Sequence, residues 1–294
     1  MSVFADNFSL LLDYRKRLAK LTRGLLREAA LFSEPDLPAP EEIGSIYEEI
    51  CGNTVSSGFL SDLAVFCMAV SEVYKNRMED AFRDSDNDSS GDPPKIAYLQ
   101  NTFSDRAYRV FADDHMRLNP RSQVTAAYFP GFREVCEEVY YGRCSHAMLP
   151  VSSSRDGSLP SFRKLISKYE LKIVSETDVD MGDDSVMRFA LLRRGLNGAS
   201  GRQYADLSVV LTEDITLGAF LTACESLGTS AVTINSYPLE YADDRWGTHL
   251  TLDISHADPN ALYLFLESSH ISYEVVGLYH LLSSQKSVQN HSTI

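Results

Sequence analysis

Arg188 lies in an apolar run, Val186-Met187-Arg188-Phe189, where a guanidinium could grip a carboxylate but the neighbouring Met187 thioether cannot donate a proton. Thr102 and Ser104 place two hydroxyls just before Asp105, suited either to capping a helix or to touching a ligand. Ser71 and Lys75 are one helical turn apart, so a helix would present both on one face. Leu217-Gly218-Ala219 opens a helical stretch, where glycine allows close backbone approach and the helix dipole favours an anion. Arg15, Lys16, Arg17, Lys20, Arg23 and Arg27 form the one obvious basic cluster. His146, in an apolar stretch, reads as a packed histidine rather than a base.

These cations stand out because the chain is acidic. Its 41 Asp and Glu against 27 Lys and Arg give a formal net charge of -14 over 294 residues, which argues against nucleic acid as a partner. With 44% hydrophobic residues the chain can form two or three globular domains. No apolar run approaches the roughly 18–20 residues that span a bilayer. Met1 to Asp6 has no basic, signal-like start, so a soluble cytoplasmic protein without membrane contact is expected. Cys51, Cys67, Cys136, Cys144 and Cys224 are odd in number and widely spaced. Buried free thiols are expected, not a disulfide framework, and no metal or cofactor.

The elements that must position these residues fall into three blocks. Residues 1–83 read as helices: Leu10, Leu11, Leu18, Leu21, Leu25 and Leu26 recur at helical spacing, a second helix begins near Pro40, and a third runs from about Phe59. Residues 84–94 read as a polar linker. Its aspartates suggest a calcium loop only faintly, since the glycine is misplaced and no glutamate closes it. Residues 95–195 alternate short strands with helices, predicting a largely parallel sheet with helices on its faces. Residues 205–284 read as βαββαβ, a ferredoxin-like topology. The fold class is therefore multidomain: α, then α/β, then α+β.

Several spaced stretches resemble the prephenate dehydratase family. Ile96-Ala97-Tyr98-Leu99 with Thr102-Phe103-Ser104 stands where that family has a strand and Gly-Pro-x-Gly-Thr-Phe-Ser. Ala147-Met148-Leu149-Pro150-Val151 precedes Ser152, Ser153 and Ser154, where the family has Pro-Ile-Glu-Asn-Ser. Val186-Met187-Arg188-Phe189 stands at its Thr-Arg-Phe, whose threonine is the presumed proton donor. Leu217-Gly218-Ala219 and Asn235-Ser236-Tyr237-Pro238 resemble the Gly-Ala-Leu and Glu-Ser-Arg-Pro elements of that family's regulatory ACT domain. With the helical start, the three blocks in this order resemble the bifunctional P-protein: chorismate mutase, dehydratase, ACT.

The resemblance implies a chorismate-mutase-like helical block, a periplasmic-binding-protein-like α/β lobe and an ACT domain. About thirty residues separate Gly157 from Met187, too few for the second lobe that closes the dehydratase cleft. Methionine at the acid position and serines for Glu-Asn point the same way, since a positioned general acid typically contributes about 10²–10⁴-fold. Arg188 and Phe189 are then either ligand contacts or a strand residue beside the core with an arginine on its edge. The resemblance implies a dimeric protein of phenylalanine biosynthesis, without dehydratase activity. It would bind phenylalanine or a related aromatic amino acid through Leu217, Gly218, Ala219, Asn235, Ser236, Tyr237 and Pro238. The alternatives are a chorismate mutase using Arg15, Ser71 and Lys75, or residual dehydratase activity on prephenate involving Thr102, Ser104, Arg188 and Phe189. The mutase reading has no arginine on the second helix, Glu41 to Glu49.

Overall fold

The structure, a computed structural model, describes residues 38–51, 57–81, 93–196, 201–239 and 246–283. Arg15 with the rest of the basic cluster, most of the 84–94 linker and the Lys75 side chain lie outside what is described. In chain order the elements are α1 (Pro40–Cys51), α2 (Ser57–Ala81), β1 (Lys95–Leu99), α3 (Thr102–Leu118), β2 (Thr125–Phe129) and α4 (Phe132–Tyr140). Then come β3 (His146–Ser153), β4 (Gly157–Ser158), α5 (Pro160–Lys168), β5 (Lys172–Asp180) and β6 (Val186–Arg193). The last are β7 (Tyr204–Val210), α6 (Leu217–Ser226), β8 (Ser230–Pro238), β9 (Trp246–Asp253), α7 (Pro259–Ser268), β10 (Ser272–Tyr279) and β11 (Leu281–Leu282). No described helix is long and apolar enough to cross a membrane.

The chain groups into two compact units: Met1–Ala81 with Val209–Thr248 and Leu252–Tyr273, and Phe82–Ser208 with His249–Thr251 and Glu274–Ile294. Strands β7, β9 and β10 supply residues to both.

In the second unit the hydrogen-bonded order is β2-β1-β3-β6-β5-β10. The expected parallel sheet is instead mixed: β1 is parallel to β2 and β3, whereas β6 is antiparallel to both β3 and β5. The cause is local. Residues 181–185 between β5 and β6 are too few for the crossover that parallel neighbours need, so the strands close as a hairpin. Both faces are covered. Val135, Val139 and Ile166 from α4 and α5 bury Ala190 and Leu192 on one side. Ala107 and Phe111 from α3 bury Phe189 and Met148 on the other.

In the first unit, helices α6 and α7 carry a second helical layer. α2 packs on both of them and α1 packs on α7. The reason is a helical-period stripe on α2, with Phe59, Leu60, Leu63, Ala64, Cys67, Val70 and Tyr74 all buried. Gly44 makes the close approach possible, since a Cβ there would lie 2.1 Å from the His270 ring and 2.7 Å from the Ser268 carbonyl. The Ser268 hydroxyl donates to the Pro40 carbonyl at 2.8 Å. The β7-α6-β8-β9-α7-β10 elements have the strand order β10-β7-β9-β8, fourth, first, third, second, the order of a ferredoxin-like fold. Strand β8 ends that order, and residues 230–236 are exposed on both its faces.

Candidate functional site

Arg188 sits on β6, which lies between β3 and β5 in the sheet. Its Nε donates to Asp178 Oδ1 at 2.7 Å and its Nη2 to Asp178 Oδ2 at 2.9 Å, a two-pronged pair. Glu176 Oε2 lies 3.8 Å from the same Nε. The hydrogen bonds to Asp178 outweigh partial burial and hold the guanidinium more firmly protonated than usual. Glu176 goes the other way: burial, then the nearby Asp206 carboxylate, push its carboxyl up to about 8, partly offset by Arg188 and Arg163.

A bulge in β5 creates this arrangement. Ile173 pairs with Leu192 but Ser175 pairs with Leu191, so the register slips between them. Glu176 and Asp178 thereby come opposite Ala190 and Arg188, on Arg188's face. With uninterrupted alternation they would face the opposite side of the sheet. A second slip, between Pro150 and Ser152 in β3, sets Ser152 opposite Arg188 from the other flank. The serine turn and Arg188 thus lie on adjacent strands.

The loop's hydroxyls serve the backbone, however. Ser153 Oγ accepts from the Arg155 and Asp156 amides, and Ser154 Oγ accepts from the Val186 amide at 2.9 Å. Arg155 pairs with Asp183 at 2.7 Å, tying the 153–157 turn to the β5–β6 turn. Met187 is half-buried against the core that holds Phe189, which is 4% exposed. Phe189 is therefore a core residue, and Met187 puts no proton beside Arg188.

At the start of α3, neither Thr102 nor Ser104 is the cap. Asn101 is, its Oδ1 accepting from the Phe103 and Ser104 amides at 3.0 and 2.9 Å. Thr102 is the first helical residue, and Ser104 is buried. His146 is half-buried, with Nδ1 2.9 Å from Ser145 Oγ. Ser71 belongs to the buried stripe of α2, its Oγ 3.5 Å from the Met68 carbonyl. A buried hydroxyl facing packed helices is poorly placed to receive a dianion.

The ACT-like residues lie in the first unit. Thr216 Oγ1 caps α6 by accepting from the Ala219 amide at 3.2 Å. Gly218 is exposed, and a Cβ built there would meet nothing within 4 Å, so the backbone is approachable. Asn235, Ser236 and Pro238 are exposed on β8. Tyr237 is half-buried with its ring over Gly247, where a Cβ would come 2.3 Å from Tyr237 Cζ.

Sequence reasoning missed Glu176, Asp178, Asp206 and Arg163 as a group. The available signal was Glu176-Thr177-Asp178, two carboxylates two residues apart between the apolar pair Ile173-Val174 and Val179.

The architecture is a mixed α/β chain in which a βαββαβ segment follows an α/β segment. No family model and no curated protein matches it. Among solved structures it is similar to a prephenate dehydratase from Streptococcus mutans at 20% identity, with a TM-score of 0.47 over 65% of this chain and 100% of that one. It is also similar to GqqA, a quorum-quenching acylase, at 22% identity and a TM-score of 0.44 over 63% and 94%. A prephenate dehydratase from Arthrobacter aurescens in complex with L-Phe gives 15% identity and a TM-score of 0.44 over 63% and 89%. These scores are too low for any of those activities to be carried over.

Proposed function

We propose that this chain is a dimeric binding or regulatory protein of aromatic amino-acid metabolism without dehydratase activity, its βαββαβ segment receiving phenylalanine or a related amino acid. The observation that carries this reading is strand β8. It is the edge of the sheet and exposed on both faces, with Val232 and Ile234 51% and 45% exposed. An edge strand of this kind offers a row of main-chain groups to another strand, and a second copy is the partner that would cover it. The ACT-like stretches Leu217 to Ala219 and Asn235 to Pro238 supply the approachable helix start and the strand for a shared pocket. Against dehydratase chemistry stand Arg188, whose fork is occupied by Asp178, and Met187 in place of an acid.

Calorimetry with phenylalanine, tyrosine and tryptophan, together with sedimentation equilibrium, tests the reading. A dimer that releases heat with one of the three is expected. A monomer that takes none at millimolar concentration overturns it. Formation of phenylpyruvate from prephenate at an enzymatic rate would establish the dehydratase alternative. Loss of chorismate absorbance, abolished by Arg15→Ala, would establish the mutase alternative, which the burial of Ser71 disfavours.

A further inference from the structure

Beneath Arg188 the second unit contains a larger charged network that none of the readings above uses. Arg163, from α5, places Nη1 2.5 Å from Asp206 Oδ2 on β7. The Asp206 side chain is 2% exposed and that of Arg163 is 15% exposed. The other Asp206 oxygen accepts from Thr251 Oγ1 on β9 at 2.6 Å and from Tyr279 Oη on β10 at 3.3 Å. Glu176 on β5 lies among these groups, 2% exposed, influenced by Asp206, Arg188, Arg163 and its strand neighbour Asp178. His249 on β9 faces Arg163 and Asp206, and burial favours its neutral ring. Burial first, and the Asp206 carboxylate next, push the Tyr279 phenol well above its ordinary range, so it stays protonated.

Counting charge gives the result. Arg163 and Arg188 supply two positive charges, and Asp178 and Asp206, each hydrogen-bonded to one of them, supply two negative charges. A third carboxylate would leave the network with net negative charge and no cation to answer it. The Glu176 and Asp206 side chains, each 2% exposed, would hold that charge away from solvent, a costly state. A protonated Glu176 leaves it neutral.

We propose that the Glu176 carboxyl group is a proton-dependent latch: protonated, it lets residues 205–207 of β7 and 249–251 of β9 close on α5 and β5 through Asp206 and Thr251, and ionised, it loosens that seam. The latch belongs to the second unit alone and does not depend on the function proposed above.

The sign is fixed by burial. Glu176 titrates near 8 when folded, against the usual value of 4.5 when the seam is open. The latch is therefore fully closed below about pH 4.5, weakens as the pH rises toward about 8, and changes no further above that. The open fraction should grow about tenfold per pH unit inside that window.

The test is hydrogen exchange of the β7 amides between pH 5 and 9, expressed as protection factors so that intrinsic pH dependence divides out. In the full-length chain, protection of Ala205 to Leu207 should fall about tenfold between pH 6 and 7, and level off above pH 8. Glu176→Gln, neutral at every pH, should hold its protection constant. Infrared difference spectroscopy of the unmodified protein is the second measurement and needs no variant. A buried protonated-carboxyl band should persist at pH 7 and vanish near pH 9. Parallel protection curves for the two proteins, or no such band at pH 7, would overturn the proposal.

Discussion

Arg188 and Asp178 meet as a paired fork across the β5–β6 hairpin, two hydrogen bonds of 2.7 and 2.9 Å joining adjacent strands. Both side chains are about a third exposed, so solvent weakens the pair. Asp178→Asn keeps the shape and removes the charge. It should lower unfolding free energy by about 1 kcal/mol in a urea titration, a modest loss for a charge-assisted pair at partial exposure.

The Arg163–Asp206 pair should behave differently, because Asp206 is almost wholly enclosed. Arg163→Met leaves a buried carboxylate without its cation and should cost about 3–5 kcal/mol. Combining it with Asp206→Leu should recover much of that loss, since the orphaned charge is then gone. Chemical denaturation of the two variants against the parent checks both statements.

Gly228 closes helix α6 with φ at +85°, and a Cβ there would lie 2.9 Å from the His256 carbonyl oxygen. Gly228→Ala combines backbone strain with a main-chain clash and should lower stability by about 1–2 kcal/mol. A drop of several degrees in the thermal midpoint is the readout.

Cys136 and Cys224 are buried thiols, each pushed up to about 12 by burial first and a neighbouring glutamate second. Only the thiolate reacts, so both should resist iodoacetamide at pH 8 in the folded protein and alkylate promptly in urea. Mass spectrometry after each treatment distinguishes the two states.

Much of the fold was legible because it rests on local pattern. Pro40, read as the start of a helix, opens α1, and the strand read at Val186 to Arg193 is β6. The register slips in β3 and β5 were not legible, since an alternating sequence does not announce where one residue is left unpaired. Those slips decide which residues Arg188 meets, and neither they nor the antiparallel setting of β6 could be read from the sequence. Similarly, the apolar stripe of α2 is plain in sequence, but a stripe names no partner. Its packing on α6 and α7 accounts for why Ser71, a candidate ligand contact, is buried.

Strand β5 is bordered on one side by β6, its immediate successor, and on the other by Gly277 of β10, where a side chain would collide with Ile173 at 2.6 Å. β6 ends at Arg193 and β10 begins only at Ser272. During synthesis β5 must therefore wait with one flank open until β10 has left the ribosome. A truncation before β10 would leave that flank as an adhesive edge, and the product would be destined for aggregates or chaperones.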